Sequence, residues 1–185
     1  MKRALLLIEN GKASDAVAET RAIYDDFSHD MGMGMTMQGA GLKTTAAQID
    51  RTFGTRLGES LAQSLQQNNA DALKKTIQEL ALLLMIEKFD AIQAGFGKET
   101  MTLDTQRTIF WLGRNYFSYL LEPTLATEDP IEEQRLDRLL DVMLYRLEDG
   151  EHQGFLDVRK NLVGGITTAF HLTLPQRASA GIPRG

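Results

Sequence analysis

From Leu80 to Ile86 the chain runs through consecutive apolar residues, Leu-Ala-Leu-Leu-Leu-Met-Ile, inside a helix-forming stretch that begins after Asn69 and ends near Gly95 and Gly97. A run without polar alternation does not suit a half-exposed strand, and a helix with no polar face must be surrounded on nearly all sides. The rest of the chain therefore has to supply the helices that cover it. The run falls far short of the roughly twenty apolar residues that span a bilayer, so its burial is against protein. The expectation is an all-α fold with this segment at its centre.

The flanking sequence supplies such helices. Leu5 to Ile8 form a short first element closed by Asn10-Gly11, a good C-terminal stop. Ser14 can cap a second helix through Ala16, Val17, Ala22, Ile23 and Phe27, with Asp15 well placed in its first turn. Residues 38–43 read as a loop; Thr44 or Thr45 starts a helix through Ile49 and Phe53, and Gly54 ends it. Another carries Leu57, Leu61 and Leu65. A helix from about Thr102 to Leu121 should stop at Glu122-Pro123, because the residue before proline is pushed out of the α region. Asp129-Pro130-Ile131-Glu132 is the best start signal in the chain, with aspartate as cap and proline where its missing N–H costs nothing. Leu136, Leu139, Leu140, Met143, Leu144 and Leu147 follow as one stripe up to Gly150. A last segment carries Phe155, Val158 and Leu162 before Gly164-Gly165. The prediction is a single-domain bundle of six or seven helices over residues 1–175, with a flexible C-terminal tail at 176–185. Its core is expected around 70–95, 102–121 and 130–149.

Composition narrows the functions open to such a bundle. A formal charge of −5 with no basic stripe argues against nucleic acid. With no cysteine, disulfides, thiolate zinc sites, iron–sulfur clusters and cysteine catalysis are excluded. Met1-Lys2-Arg3 before Ala4 to Ile8 imitates a signal peptide, but its apolar run is shorter than the roughly seven to fifteen residues of a working one. Export would therefore mean that this chain is a processed mature form, hence periplasmic; otherwise it is expected to be cytoplasmic. There is no Gly-x-Ser-x-Gly, phosphate loop or His-Glu-x-x-His, so catalysis is unsupported, although distant residues can converge.

One segment departs from ordinary helical sequence. Met31, Met33, Met35 and Met37 hold half of the chain's eight methionines, behind Asp26 and His29. In extended geometry the four thioethers would share one face; in helical geometry only pairs such as Met33 and Met37 would. With His29 as a nitrogen donor and Asp26 as a carboxylate, the set could bind Cu(I) or Ag(I). The competing possibilities are methionines that plug a core gap or form a partner-binding surface. Asp26-x-x-His29 and Asp149-x-x-His152 also have the one-turn spacing used in di-iron bundles, which makes iron the other metal to consider, with Glu79 and Glu87 as available partners. Arg107, Trp111 and Arg114, on one helix face, could bind an anion through cation–π and charge, or could be arginines snorkelling around a half-buried tryptophan.

Two stretches carry a family likeness. Ile8-Glu9-Asn10-Gly11 through Tyr24-Asp25-Asp26-Phe27 into the Met-Gly-Met segment is one, and Arg107 through Pro123 (RTIFWLGRNYFSYLLEP) is the other. Together they resemble a little-characterised group of bacterial proteins labelled magnetotaxis-related and, more distantly, the periplasmic helical domains associated with iron permeases. The resemblance implies export to the periplasm and transition-metal handling, and carries over no catalytic residue. The leading expectation is a periplasmic metal-binding or metal-handling protein with its soft ligands at residues 29–37. The alternative is a non-catalytic interaction domain that binds a partner helix or small ligand through an apolar groove or methionine surface.

Overall fold

The computed structural model describes residues 1–30 and 36–175, with side chains for 1–26 and 39–175. The chain is all-α in class and divides after Leu80 into two compact units. Its described helices are α1 (Lys2–Glu9), α2 (Ala13–Ala22), α3 (Leu42–Phe53), α4 (Leu57–Gln66), α5 (Ala70–Gly95), α6 (Leu103–Tyr116), α7 (Glu122–Glu128), α8 (Pro130–Glu148) and α9 (His152–Ala169). A π-helical turn, Phe117–Leu121, joins α6 to α7 without a break, so the described residues form eight helical rods rather than the six or seven expected. A two-stranded antiparallel ribbon, β1 (Phe27–Asp30) and β2 (Thr36–Gly39), interrupts the helices: α2 stops at Ala22 and Phe27 opens β1, where the second helix was expected to continue, and β2 takes Gln38 and Gly39 from the loop expected at 38–43. No helix among the described residues is long and apolar enough to cross a membrane. The tail expected at 176–185 lies outside the described residues.

The first unit is held by polar groups borrowed across turns. Gly54, at φ 74°, ends α3 in the left-handed region that favours glycine. Asp50 of α3 then caps α4: its carboxylate accepts from the Thr55 hydroxyl at 2.6 Å, the Leu57 N–H at 2.7 Å and the Gly58 N–H at 2.9 Å. At the other end of α4, Arg21 donates to the Leu65 carbonyl at 2.6 Å and to Asn68 Oδ1 at 3.0 Å, adding a charged donor to a terminal carbonyl whose backbone bond, from the Asn68 N–H, is long at 3.4 Å. Inside this frame Leu5, Val17, Ile49, Phe53, Leu61 and Ile77 are buried. Ser14 does not cap α2; the helix begins at Ala13 without a side-chain cap.

In the second unit the aromatic residues set the packing. Phe89 of α5 stacks on Phe110 of α6 with centroids 5.7 Å apart and meets Phe155 of α9 edge-on at 6.3 Å. Every residue from Leu80 to Ile86 is buried, as the unbroken apolar run requires. Thr102 caps α6 and Asp129 caps α8, the latter accepting from the Glu132 N–H at 3.0 Å. Pro123 does not end its helix as expected. The turn before it widens, so that the Glu122 N–H bonds to the carbonyl of Phe117, five residues back. A proline ring clashes with the carbonyl four residues earlier; the wider π turn offers a route past that clash. The glycine pair 164–165 is likewise no stop: α9 runs through it to Ala169.

Candidate functional site

The ribbon that frames the methionine segment is stitched to α3 at its base. Residues 23–26, leaving α2, satisfy the free N–H groups at the start of α3. The carbonyls of Ile23 and Tyr24 accept from Leu42 and Lys43 at 3.0 Å each, and Asp26 Oδ1 accepts from Gly41 at 2.8 Å. The approach is so close that a Cβ on Gly41 would lie 2.3 Å from the Asp25 carbonyl oxygen, so only glycine fits. Hydrogen bonds from Thr44 and from the Gly41 N–H hold the Asp26 carboxyl below its ordinary pKa, with burial opposing them and the charge of Lys43 assisting. Asp26 thus serves as a remote cap for α3.

Beyond this base the strands pair Phe27 with Gly39, Ser28 with Gln38, His29 with Met37 and Asp30 with Thr36. Opposite positions of an antiparallel pair share one face of the ribbon. Positions 29 and 37 are therefore neighbours across the strands although eight residues apart in sequence. Met31, Met33 and Met35 lie outside the described residues.

The other candidates are dispersed. Neither carboxylate–imidazole pair shares a helix. Asp26 precedes β1 and His29 is within it, while Asp149 closes α8 and His152 opens α9 across Gly150. The helical spacing that motivated a di-iron site is absent from both. The His152 ring stacks on Phe96 at 3.9 Å between centroids. Burial raises the Glu79 carboxyl, with Lys75 opposing and Asp50 adding to the rise, and Glu87 is bonded to Lys88 at 2.8 Å. Among the described residues no three of histidine, aspartate and glutamate come together in a way that could hold a metal.

Arg107 and Arg114 are committed to α8. Arg107 bonds Glu148 at 2.9 Å, and Arg114 bonds Asp141 at 2.6 Å and Asp137 at 2.7 Å while lying 5.3 Å from the Trp111 ring centre. With its arginines already answered by carboxylates, this face offers no anion site. No protein family, curated protein or solved structure matches the chain.

Two arrangements went unseen in the sequence. Arg159 of α9 is buried and pairs with Asp90 of α5, a contact 69 residues apart in the chain that no local pattern marks. On α8, Ile131, Val142 and Tyr145 are exposed. Their spacing, off the Leu136–Leu140–Met143–Leu147 stripe, was the available signal.

Proposed function

We propose that the ribbon and the methionine segment it encloses form a site for a soft monovalent metal ion, Cu(I) or Ag(I), in a protein that handles metal in the periplasm. The observation that carries this reading is the pairing of His29 with Met37. It brings an imidazole-bearing position opposite a thioether-bearing one, at the two ends of a segment with three further methionines. Thioethers and neutral imidazole are soft or borderline donors without charge, a set that suits a soft monovalent ion better than a hard dication. The use of Asp26 as a cap agrees with this, since it leaves the donor set neutral. The resemblance to magnetotaxis-related proteins points the same way and is the ground for the periplasmic assignment.

The test is a competition titration with Cu(I) under reducing conditions, on wild type and on the variant with Met31, Met33, Met35 and Met37 all changed to leucine. Leucine keeps the apolar bulk and removes the sulfur. Wild type should bind Cu(I) and the variant at least about tenfold more weakly, with Zn(II) and Mg(II) poor competitors. Because thioethers need no deprotonation, binding should persist through mild acidification and weaken only where His29 protonates. Equal affinities in two folded proteins would remove the methionines from the site, and no binding by wild type would end the reading.

A further inference from the structure

The outer face of α8 carries a feature that neither the core nor the ribbon uses. Ile131, Arg135 and Leu139 form one row at four-residue spacing, and Gln134, Arg138 and Val142 form the next; between them runs a shallow trough of about 380 Å³ lined by these six residues. A groove between two such rows is what the side-chain ridge of a second helix packs into. Ile131 is 84% exposed, Val142 41% and Tyr145, one turn further along, 57%. From 131 to 145 the face is about 21 Å long, four helical turns.

Its charge is as specific as its shape. The chain as a whole is acidic, yet none of the six lining residues is. The Arg135 head is occupied, bonding Glu132 through two nitrogens at 2.7 and 2.5 Å, so its stem rather than its charge faces the trough. Arg138 is exposed, has no ion-pair partner among the described residues, and stands in the middle of the second row. A second copy of this face would set Arg138 against a surface with no carboxylate in either row, so self-pairing is disfavoured.

From this we infer that the trough on α8 is a docking site for an acidic amphipathic helix of another protein, whose apolar ridge fills the trough between Ile131 and Val142 and whose carboxylate pairs with Arg138. The inference is independent of the metal reading, and the site lies wholly within the second unit.

The experiment uses the full chain and two labelled synthetic peptides, each a helix former with leucines at i, i+3, i+4 and i+7. One carries glutamates and the other lysines on the flanks. Fluorescence anisotropy should show the glutamate peptide binding and the lysine peptide at least about tenfold weaker. Arg138→Glu should reverse that preference, and Val142→Asp should abolish binding of both. Both side chains are exposed, so circular dichroism and the unfolding midpoint should not change. The quadruple methionine variant should bind the glutamate peptide as wild type does. Equal binding of the two peptides, or binding that survives both α8 substitutions, overturns the inference. So does self-association in sedimentation that Val142→Asp removes, which would make the occupant a second copy. Binding of phosphatidylglycerol vesicles without binding of the glutamate peptide overturns it in favour of a lipid surface.

Discussion

Removing the two partners of the Asp90–Arg159 pair one at a time should carry unequal penalties. The Arg159 side chain is only 4% exposed, whereas that of Asp90 is 32% exposed. Arg159 donates to Asp90 through one terminal nitrogen, and its Nε is buried with no hydrogen-bond partner among the described residues. Burial raises the Asp90 carboxyl above its ordinary pKa and outweighs the lowering by Arg159, with Glu87 adding to the rise. The pair therefore recovers only part of what its desolvation costs. Asp90→Leu removes the carboxylate bonded to a buried guanidinium, which should cost about 3–5 kcal/mol. Arg159→Met leaves a carboxylate that reaches water and can take up a proton, while methionine fills the vacated space, so the loss should be nearer 1–2 kcal/mol. The double variant should fall within about 1 kcal/mol of wild type or exceed it, as apolar replacements of buried pairs often do. The pH dependence adds a second readout. A carboxyl whose folded pKa is raised contributes stability that is fully present below its unfolded pKa and lost as pH rises through its folded pKa. Acidification from neutrality should thus narrow the deficit of Arg159→Met, where Asp90 remains to be protonated, and should not do so for Asp90→Leu. Urea unfolding followed by circular dichroism across that range measures all three variants. If Arg159→Met costs as much as Asp90→Leu, or the double variant loses more than about 3 kcal/mol, the argument from unequal burial fails.

Two further expectations concern glycine packing and the anchor of the ribbon. A Cβ on Gly113 would lie 2.7 Å from the ring of buried Phe89, while one on Gly164 would meet nothing within 4 Å. Gly113→Ala should therefore destabilise by about 1–3 kcal/mol through overpacking, less the helix-propensity gain, and Gly164→Ala should stabilise by about 0.5–1 kcal/mol; urea midpoints of the same sign for both would contradict this. Asp26→Ala should lower the unfolding midpoint at neutral pH. Because the folded pKa of Asp26 is depressed, its contribution is present above the unfolded value and lost as pH falls through the folded one, so the variant and wild type should converge in strong acid; a deficit that persists there would mean the carboxylate charge is not what anchors Gly41 and Thr44.

What could be read from the sequence was what neighbouring residues decide. The Leu80–Ile86 run had to be buried because a helix without a polar face has no other place to go, and it is. Asp129 caps its helix as expected, because capping needs only a side-chain oxygen within three residues of the N–H it serves, and Thr102, expected only as the approximate start of its helix, caps it by the same rule. Capping by Asp26 and Asp50 has the same chemistry but comes from another element, 15 and 7 residues from the N–H groups served; no window of local sequence marks it. The methionine candidates divide in the same way. The clustering of methionines behind His29 was legible, with extended and helical geometry both open, but the partnership of positions 29 and 37 depends on the register of two strands. That register is set partly by the stitching of residues 23–26 onto α3.

The proline and the glycine pair show why local rules misjudged two helix ends. Pro123 forbids an ordinary α turn, yet Phe117, Leu120, Leu121, Thr124 and Leu125 on both sides of it are buried. Ending the helix would have withdrawn those side chains from the core, so the backbone gives up one turn of regular geometry and the rod continues. Gly165 is explained from outside its own helix: a Cβ there would lie 2.6 Å from Leu136 and 2.4 Å from the Arg135 guanidinium of α8. The glycine is what lets α9 approach α8 that closely, and it gives the Arg135 head a place beside Glu132, away from the outer trough. The bare charge on that outer face is then left to Arg138. A residue on α9 thereby helps to set the electrostatic character of a surface on α8, and a larger side chain at position 165 should push the Arg135 head outward and make the trough more basic.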